Sequence, residues 1–364
     1  MKGIFKKELW KDIVILVILL GVTFLRYTAF RDIPFIKIGW WTLTIICLVY
    51  AFFYTLYNCK TNKQRKWLVA IYSLSFLFMY WKDMIDVFIY LLIACIFMEN
   101  RNKCLQTYFI TSTLIICVAI ICYFFGVVPK YNSFRESELR YSLGFVHPNT
   151  IFRFFFGNLM ALYVLDKKKM WFNLYSIGMA LPLFYLTNSR TGIIATFIFV
   201  LLSNLEIIFR KVTNKFDLRL GFLIATIFSL IVIQVWHNHE ALNEFLSGRL
   251  RIIHDLLHNA KGHLLYGNMH YEYCDNRVAY LIIRNGLFAL LIVNVFYYFV
   301  FRKETTNELK IIFVISMIYG LTENLRGLGQ TIVPLLCLWS IYDTYIKKKK
   351  NDKNLQKIVN NDNI

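Results

Sequence analysis

The sequence predicts an all-α polytopic membrane protein, and three observations carry that prediction. Hydrophobic residues fill 58% of 364 positions and aromatic residues 18%, with a mean hydropathy of +0.50. That is more apolar surface than a soluble domain of this length can bury. Apolar runs of about 15–23 residues recur along the chain, close to the ~20 residues that cross a bilayer as a helix. Basic residues gather between alternate runs, as the positive-inside rule requires.

Twelve spans are expected, at about 12–30, 38–57, 67–81, 84–98, 105–128, 148–165, 170–188, 190–209, 218–236, 277–300, 309–325 and 328–346. The first follows a basic start (Lys2, Lys6, Lys7, Lys11) without a small-residue cleavage site, so it reads as a span and not as a signal peptide. With the N-terminus inside, the inner segments carry 26 of the 41 basic residues. Residues 1–346 then form one transmembrane domain with long outer loops at about 129–147 and 237–276, and 347–364 form a basic cytoplasmic tail. The net charge of +19 follows from this topology. No basic soluble segment remains to hold nucleic acid.

The two sides differ in kind. Inside, 21 lysines face 5 arginines; the outer half carries 11 arginines and 4 lysines. Arginine keeps its charge when desolvated and grips phosphate through a planar fork. The outer half therefore reads as built to hold an anion, most plausibly a phosphate, although single arginines can also snorkel or pair with acids. The eight cysteines show no disulfide framework and no CxxC metal site.

Four outer features follow in chain order. In "GFVHPNT", His147 precedes Pro148, which suits the first turn of a helix, so His147 is either a cap or a functional group at the outer mouth. In "LTNSRTG", Arg190 opens a span, where helix N-terminal amides and a guanidinium form an anion site, and Gly192 allows close approach to the backbone. In "FLSGRLRIIHDLLHNAKG", a helical wheel places Leu246, Leu250, Ile253, Leu256, Leu257 and Ala260 on one face and Arg251, His254, Asp255, His258 and Lys261 on the other. Arg249 breaks that pattern by falling inside the apolar arc. It needs an anion, either an acid from a neighbouring helix or a bound phosphate. His254 and His258 have zinc-pair spacing, but no HExxH or nearby carboxylate completes a site, so no metal and no cofactor are expected.

The fourth feature is "CDNRVAYLIIRNG". Asp275 or Asn276 can cap the helix that follows. Arg277 and Arg284 stand seven residues apart, about two turns on one face. Arg284 lies too deep to snorkel easily, and its partner is either Glu323 in "TENLRG", beside Arg326, or a ligand.

The order "GFVHPN", "NSRTG", "SGRL" in a late outer loop, "DN" with a following Gly, and a Glu-bearing penultimate span resembles the bacterial Wzy-type polysaccharide polymerases, relatives of the O-antigen ligases. The resemblance covers roughly residues 140–340. The ligases carry His-Asn, nine residues and then Gly; here Asp275-Asn276 precedes Gly286 at that spacing, with Asp275 in place of the histidine. That departure favours a polymerase over a ligase and speaks against a histidine-based mechanism. Arg190 and Arg249 match the ligases' turn and loop arginines. The resemblance implies a GT-C-like membrane fold in the bacterial plasma membrane with the site on its outer face. It implies polymerisation of undecaprenyl-pyrophosphate-linked oligosaccharide, with a chain-length regulator and a flippase as candidate partners. Asp275 and His147 are the candidate catalytic residues. Arg190, Arg249, Arg277 and Arg284 are the pyrophosphate candidates, and Asn276, Glu323 and Arg326 those for the acceptor or for support. A flippase or transporter of lipid-linked oligosaccharide is the alternative from another class; it predicts broken helices or charges near the midplane and two related halves, and no internal repeat is evident.

Overall fold

The computed structural model describes residues 2–36, scattered positions from 38 to 53, and 85–135, 138–213, 218–246, 248–267, 274–301, 305–325 and 328–347. The span expected at 67–81, most of that at 38–57, Arg326 and the tail beyond 347 lie outside them.

The chain is mostly helical: α1 (Lys2–Leu25), α2 (Ile85–Ile96), α3 (Arg101–Phe124), α4 (Pro148–Leu165), α5 (Met170–Thr187), α6 (Arg190–Asn204), α7 (Glu206–Thr213), α8 (Gly221–Trp236), α9 (Glu240–Phe245), α10 (Arg249–Asn259), α11 (Arg277–Tyr280), α12 (Gly286–Val300), α13 (Asn307–Gly320) and α14 (Val333–Ile341). A two-stranded hairpin, β1 (Ser133–Arg135) and β2 (Glu138–Arg140), sits in the first long loop. Among the described residues, three segments, Arg101–Phe124, Leu218–Trp236 and Arg277–Val300, are long and apolar enough to cross a membrane.

Helix α4 is the central post. Every residue from Pro148 to Tyr163 is buried, including the polar Asn149, Thr150, Arg153 and Asn158; the rest of the helix is apolar on all sides, as a fully buried helix is. Phe152, Phe154, Phe155 and Phe156 fill the gaps towards its neighbours. Glycine makes the close approaches possible: a Cβ at Gly192 would run into the Phe152 ring, and one at Gly329 into Phe154. The neighbour that Gly192 admits is thus a core ring of α4.

The chain has two recognisable ends. At one, α3, α5, α7 and α13 begin and α4, α6 and α14 finish, with Lys167–Glu308 at 3.3 Å and Arg101–Asp343 at 2.5 Å tying them together. At the other lie the heads of α4 and α6 and the close of α13. Helix α10 lies across this second end as the helical wheel predicts. Leu250, Ile253 and Ala260 are buried in a small core with Ile233, Cys274, Ala279 and Ile283, while Arg251 and His258 are exposed.

Two segments depart from the simple span pattern. The run 277–300 is not one straight helix. Leu281–Asn285 forms a π-helical turn, and Gly286 then adopts φ 85 and ψ 167, a conformation reserved for glycine. Gly286 packs against the Leu265 carbonyl, while Leu287 donates its backbone N–H to Leu264 at 2.8 Å. The chain folds back there: Arg277, at the start, donates to the hydroxyl of Tyr297, twenty residues on, at 3.3 Å.

The second departure is the link between α13 and α14, whose described residues, 321–325 and 328–332, are non-helical and mostly buried. Three of its carbonyls accept from side chains: Arg153 reaches Asn324, Tyr108 reaches Leu328 at 2.7 Å, and Tyr90 reaches Thr331. Buried backbone outside a helix needs such partners.

Candidate functional site

Five strands of sequence meet where α4 and α6 begin. His147 caps α4, its Nδ1 accepting from the Asn149 N–H at 3.2 Å, and Pro148 occupies the first turn. Arg190 is the first residue of α6, half-buried, followed by Thr191. Arg249 is the first residue of α10, after Gly248 in the left-handed region. Asp275 and Asn276 precede α11, and residues 321–325 close α13.

Glu323 is the centre of this meeting. Its side chain is fully buried. Oε1 accepts from Asn149 Nδ2 at 2.8 Å, from Thr191 Oγ1 at 3.0 Å and from Arg249 Nη2 at 3.0 Å. Oε2 lies 3.8 Å from Arg153 Nε. Arg153 is itself buried, with Nη2 on Thr150 at 3.0 Å and Nη1 on the Asn324 carbonyl at 3.4 Å. Arg249 spends its other nitrogens nearby: Nε meets Asp275 Oδ2 at 3.0 Å, and Nη1 donates to the Thr322 carbonyl at 2.6 Å. Arg140 completes the set, donating to Asn149 Oδ1 and, through Nε, to the Thr187 carbonyl at 2.8 Å. Hydrogen bonds to charged groups contribute about 1.5–3 kcal/mol each, enough to hold the buried carboxylate and the arginines together.

The electrostatics are those of an anion site partly filled by its own acids. Two guanidinium groups, Arg153 and Arg249, meet two carboxylates, and a third, Arg140, lies on Asn149, beside the positive ends of α4 and α6. His147 feels four of these charges. Its pKa is lowered to about 4, first by burial and then by Arg153 and Arg140, with Arg249 adding and Asp275 opposing. The ring is therefore neutral over the physiological range. Because Nδ1 accepts the cap bond, the remaining proton sits on Nε2, and His147 offers a donor rather than a base.

The sequence-predicted residues divide accordingly. Asp275, His147, Arg249 and Glu323 come together, and Arg190 heads the helix whose next residue binds Glu323. Asn276 is the cap, its Oδ1 accepting from Ala279 N at 2.9 Å, and its Nδ2 ties Ser229 at 2.8 Å and the Leu321 carbonyl at 2.9 Å. Arg277 and Arg284 are elsewhere. The π turn and the fold-back at Gly286 remove the shared face expected of a straight helix. Arg277 lies against Tyr297 and near Tyr90 and Cys337. Arg284 stands over the Tyr280 ring at 5.8 Å, and the partner expected for it, Glu323, is held by Arg249 instead.

Sequence reasoning missed Arg140, Arg153, Asn149 and Thr191 as site residues. Arg153 was readable: an arginine inside the apolar run "IFRFFF", one turn after Asn149, poses the same question as Arg284. The hairpin that delivers Arg140 left no such signal; it is docked by Asn188 on Glu138 and by Tyr141 N–H on the Leu186 carbonyl at 3.0 Å.

Set against known protein families, curated proteins and solved structures, the chain matches none.

Proposed function

We propose that this chain is a membrane glycosyltransferase of about twelve spans and GT-C-like arrangement. It polymerises undecaprenyl-pyrophosphate-linked oligosaccharide repeat units into surface polysaccharide at the outer face of a bacterial plasma membrane. The observation that supports this most is the convergence of Arg153 and Arg249 on Glu323, with Arg249 also on Asp275 and Arg140 on the Asn149 that binds Glu323, at the end away from the Lys167–Lys169 turn.

In this reading the donor diphosphate enters beside Arg249 and Arg190. Arginines supply the charge stabilisation that many sugar transferases draw from a metal. The acceptor hydroxyl attacks the anomeric carbon with inversion, the bond to the lipid pyrophosphate breaks, and the leaving diphosphate takes up the charge. As the diphosphate draws Arg249 away, Asp275 is freed to accept the hydroxyl proton. His147 donates from Nε2 to a phosphate oxygen.

The non-helical segments 321–325 and 328–332 between α13 and α14 favour a second reading, transport of lipid-linked oligosaccharide, because transporters build their sites from interrupted helices. One experiment separates the two. Purified protein in proteoliposomes is given lipid-linked repeat units, and both glycan length and leaflet distribution are followed. Lengthening supports the polymerase; movement between leaflets without lengthening supports the transporter.

A further inference from the structure

Glu323 carries more of this site than a supporting carboxylate normally does. It has no solvent exposure, yet donors from three separate elements meet on one of its oxygens: Asn149 of α4, Thr191 of α6 and Arg249 of α10. Its other oxygen has no hydrogen-bond partner among the described residues and faces Arg153 at 3.8 Å. A carboxylate bound this way fixes the relative position of everything bound to it. The groups it fixes are two guanidiniums and the heads of two helices, the parts that favour an anion. Asp275, the other acid, pairs with Arg249.

We propose that Glu323 is the positioning residue of the site, aiming Arg249 and Arg153 at the diphosphate of a lipid-linked donor. This rests on the polymerase reading. The carboxylate acts through the arginines and takes no proton in the reaction. Its charge has a second consequence. It repels the ligand that the arginines attract, so it trades ground-state affinity for alignment, and alignment is what lowers a transition-state barrier.

That trade gives a signature which a purely structural role lacks. Glu323→Gln keeps the shape and one acceptor oxygen for Asn149 and Thr191, but removes the charge that orients the guanidiniums. With the full chain in nanodiscs, Glu323→Gln is expected to bind inorganic pyrophosphate about 3-fold or more tighter than the wild type, while chain extension slows roughly 10²-fold at saturating donor. Glu323→Asp, which keeps the charge on a shorter arm, is expected to recover at least about tenfold of that rate. Unchanged turnover in Glu323→Gln overturns the proposal. So does parallel loss of pyrophosphate binding, melting temperature and rate in both variants, which marks Glu323 as a structural post only. If the wild type binds pyrophosphate but extends no glycan, the polymerase reading fails, and the binding comparison still decides whether Glu323 positions the arginines.

Discussion

Arg249 and Arg277 make an instructive pair. Each is the first residue of a helix, α10 and α11, where the helix dipole works against a cation. Each is largely withdrawn from solvent. Yet Arg249 meets Asp275, Glu323 and a carbonyl, whereas Arg277 forms no ion pair among the described residues. Arg277 has a tyrosine hydroxyl at 3.3 Å, and its Nη1 is buried without a hydrogen-bond partner. The first region is an ionic network and the second a cation with no ionic partner among the described residues. The same residue type at the same helical position therefore carries opposite energetic signs, and substitutions in the two regions should part company.

The largest expected effect breaks the first region. Glu323→Ala leaves Arg249 and Arg153 without their shared acid, and removing one partner of a buried ion pair costs about 3–5 kcal/mol. A sharply lower melting temperature in detergent and low membrane levels are the expected outcome. A variant that melts within a degree of the wild type would show that the network is not what holds 321–325 against α4 and α6.

Asp275→Asn comes next and sharpens the division of labour within that region. Asn276, not Asp275, is the cap of α11, so Asp275→Asn leaves the helix start untouched. Loss of the proton acceptor is expected to slow extension by about 10²–10⁴-fold, the range of a general base, with stability changed little. Product chain length in membranes with matched protein levels measures it. Chains of normal length would remove Asp275 from the mechanism.

These two acids also show what the sequence could reveal. Composition and the spacing of apolar runs pointed to a helical membrane chain, and the helical wheel placed Arg249 on the buried face of α10, since both signals are local. The Asp275–Asn276 pair offered two caps, and only the backbone could choose between them. That Arg249 meets Asp275, twenty-six positions later, and Glu323, seventy-four later, depends on the fold-back at Gly286 and on how 321–325 packs. No periodicity encodes either. The Gly286 position was visible as a spacing; its reason, a positive φ against Leu265, is conformational. Treating 277–284 as a straight α-helix also put Arg277 and Arg284 on one face, and the π turn undoes that.

The second region gives the third prediction. Arg277→Met fills similar volume and removes a buried cation that has no acid in ion-pair reach among the described residues. Replacing buried charge by a well-packed apolar side chain is neutral or stabilising by about 1–4 kcal/mol. The melting temperature of Arg277→Met is expected to hold or rise, the reverse of Glu323→Ala. A fall comparable to that of Glu323→Ala would mean that the cation has a counter-charge in the intact membrane protein, and the contrast between the regions would collapse.

The smallest effect concerns His147, at the edge of the first region. Its pKa of about 4 in the folded chain lies below the ~6.5 of an unfolded histidine. The unfolded chain therefore binds more protons between those values, and stability falls as pH falls through that window. Above about pH 6.5 both states are neutral and the full contribution is present; below about pH 4 both are protonated and it is gone. Between pH 7.5 and 5.5 the loss amounts to about 1 kcal/mol after allowance for partial exposure. His147→Asn keeps an acceptor at the cap position, where asparagine serves well, and carries no titrating ring. Its melting temperature is expected to match the wild type near pH 5.5 and fall less between pH 7.5 and 5.5. An equal slope in the two proteins would place the ring in water, away from Arg153 and Arg140, and would take its Nε2 donor out of the anion site.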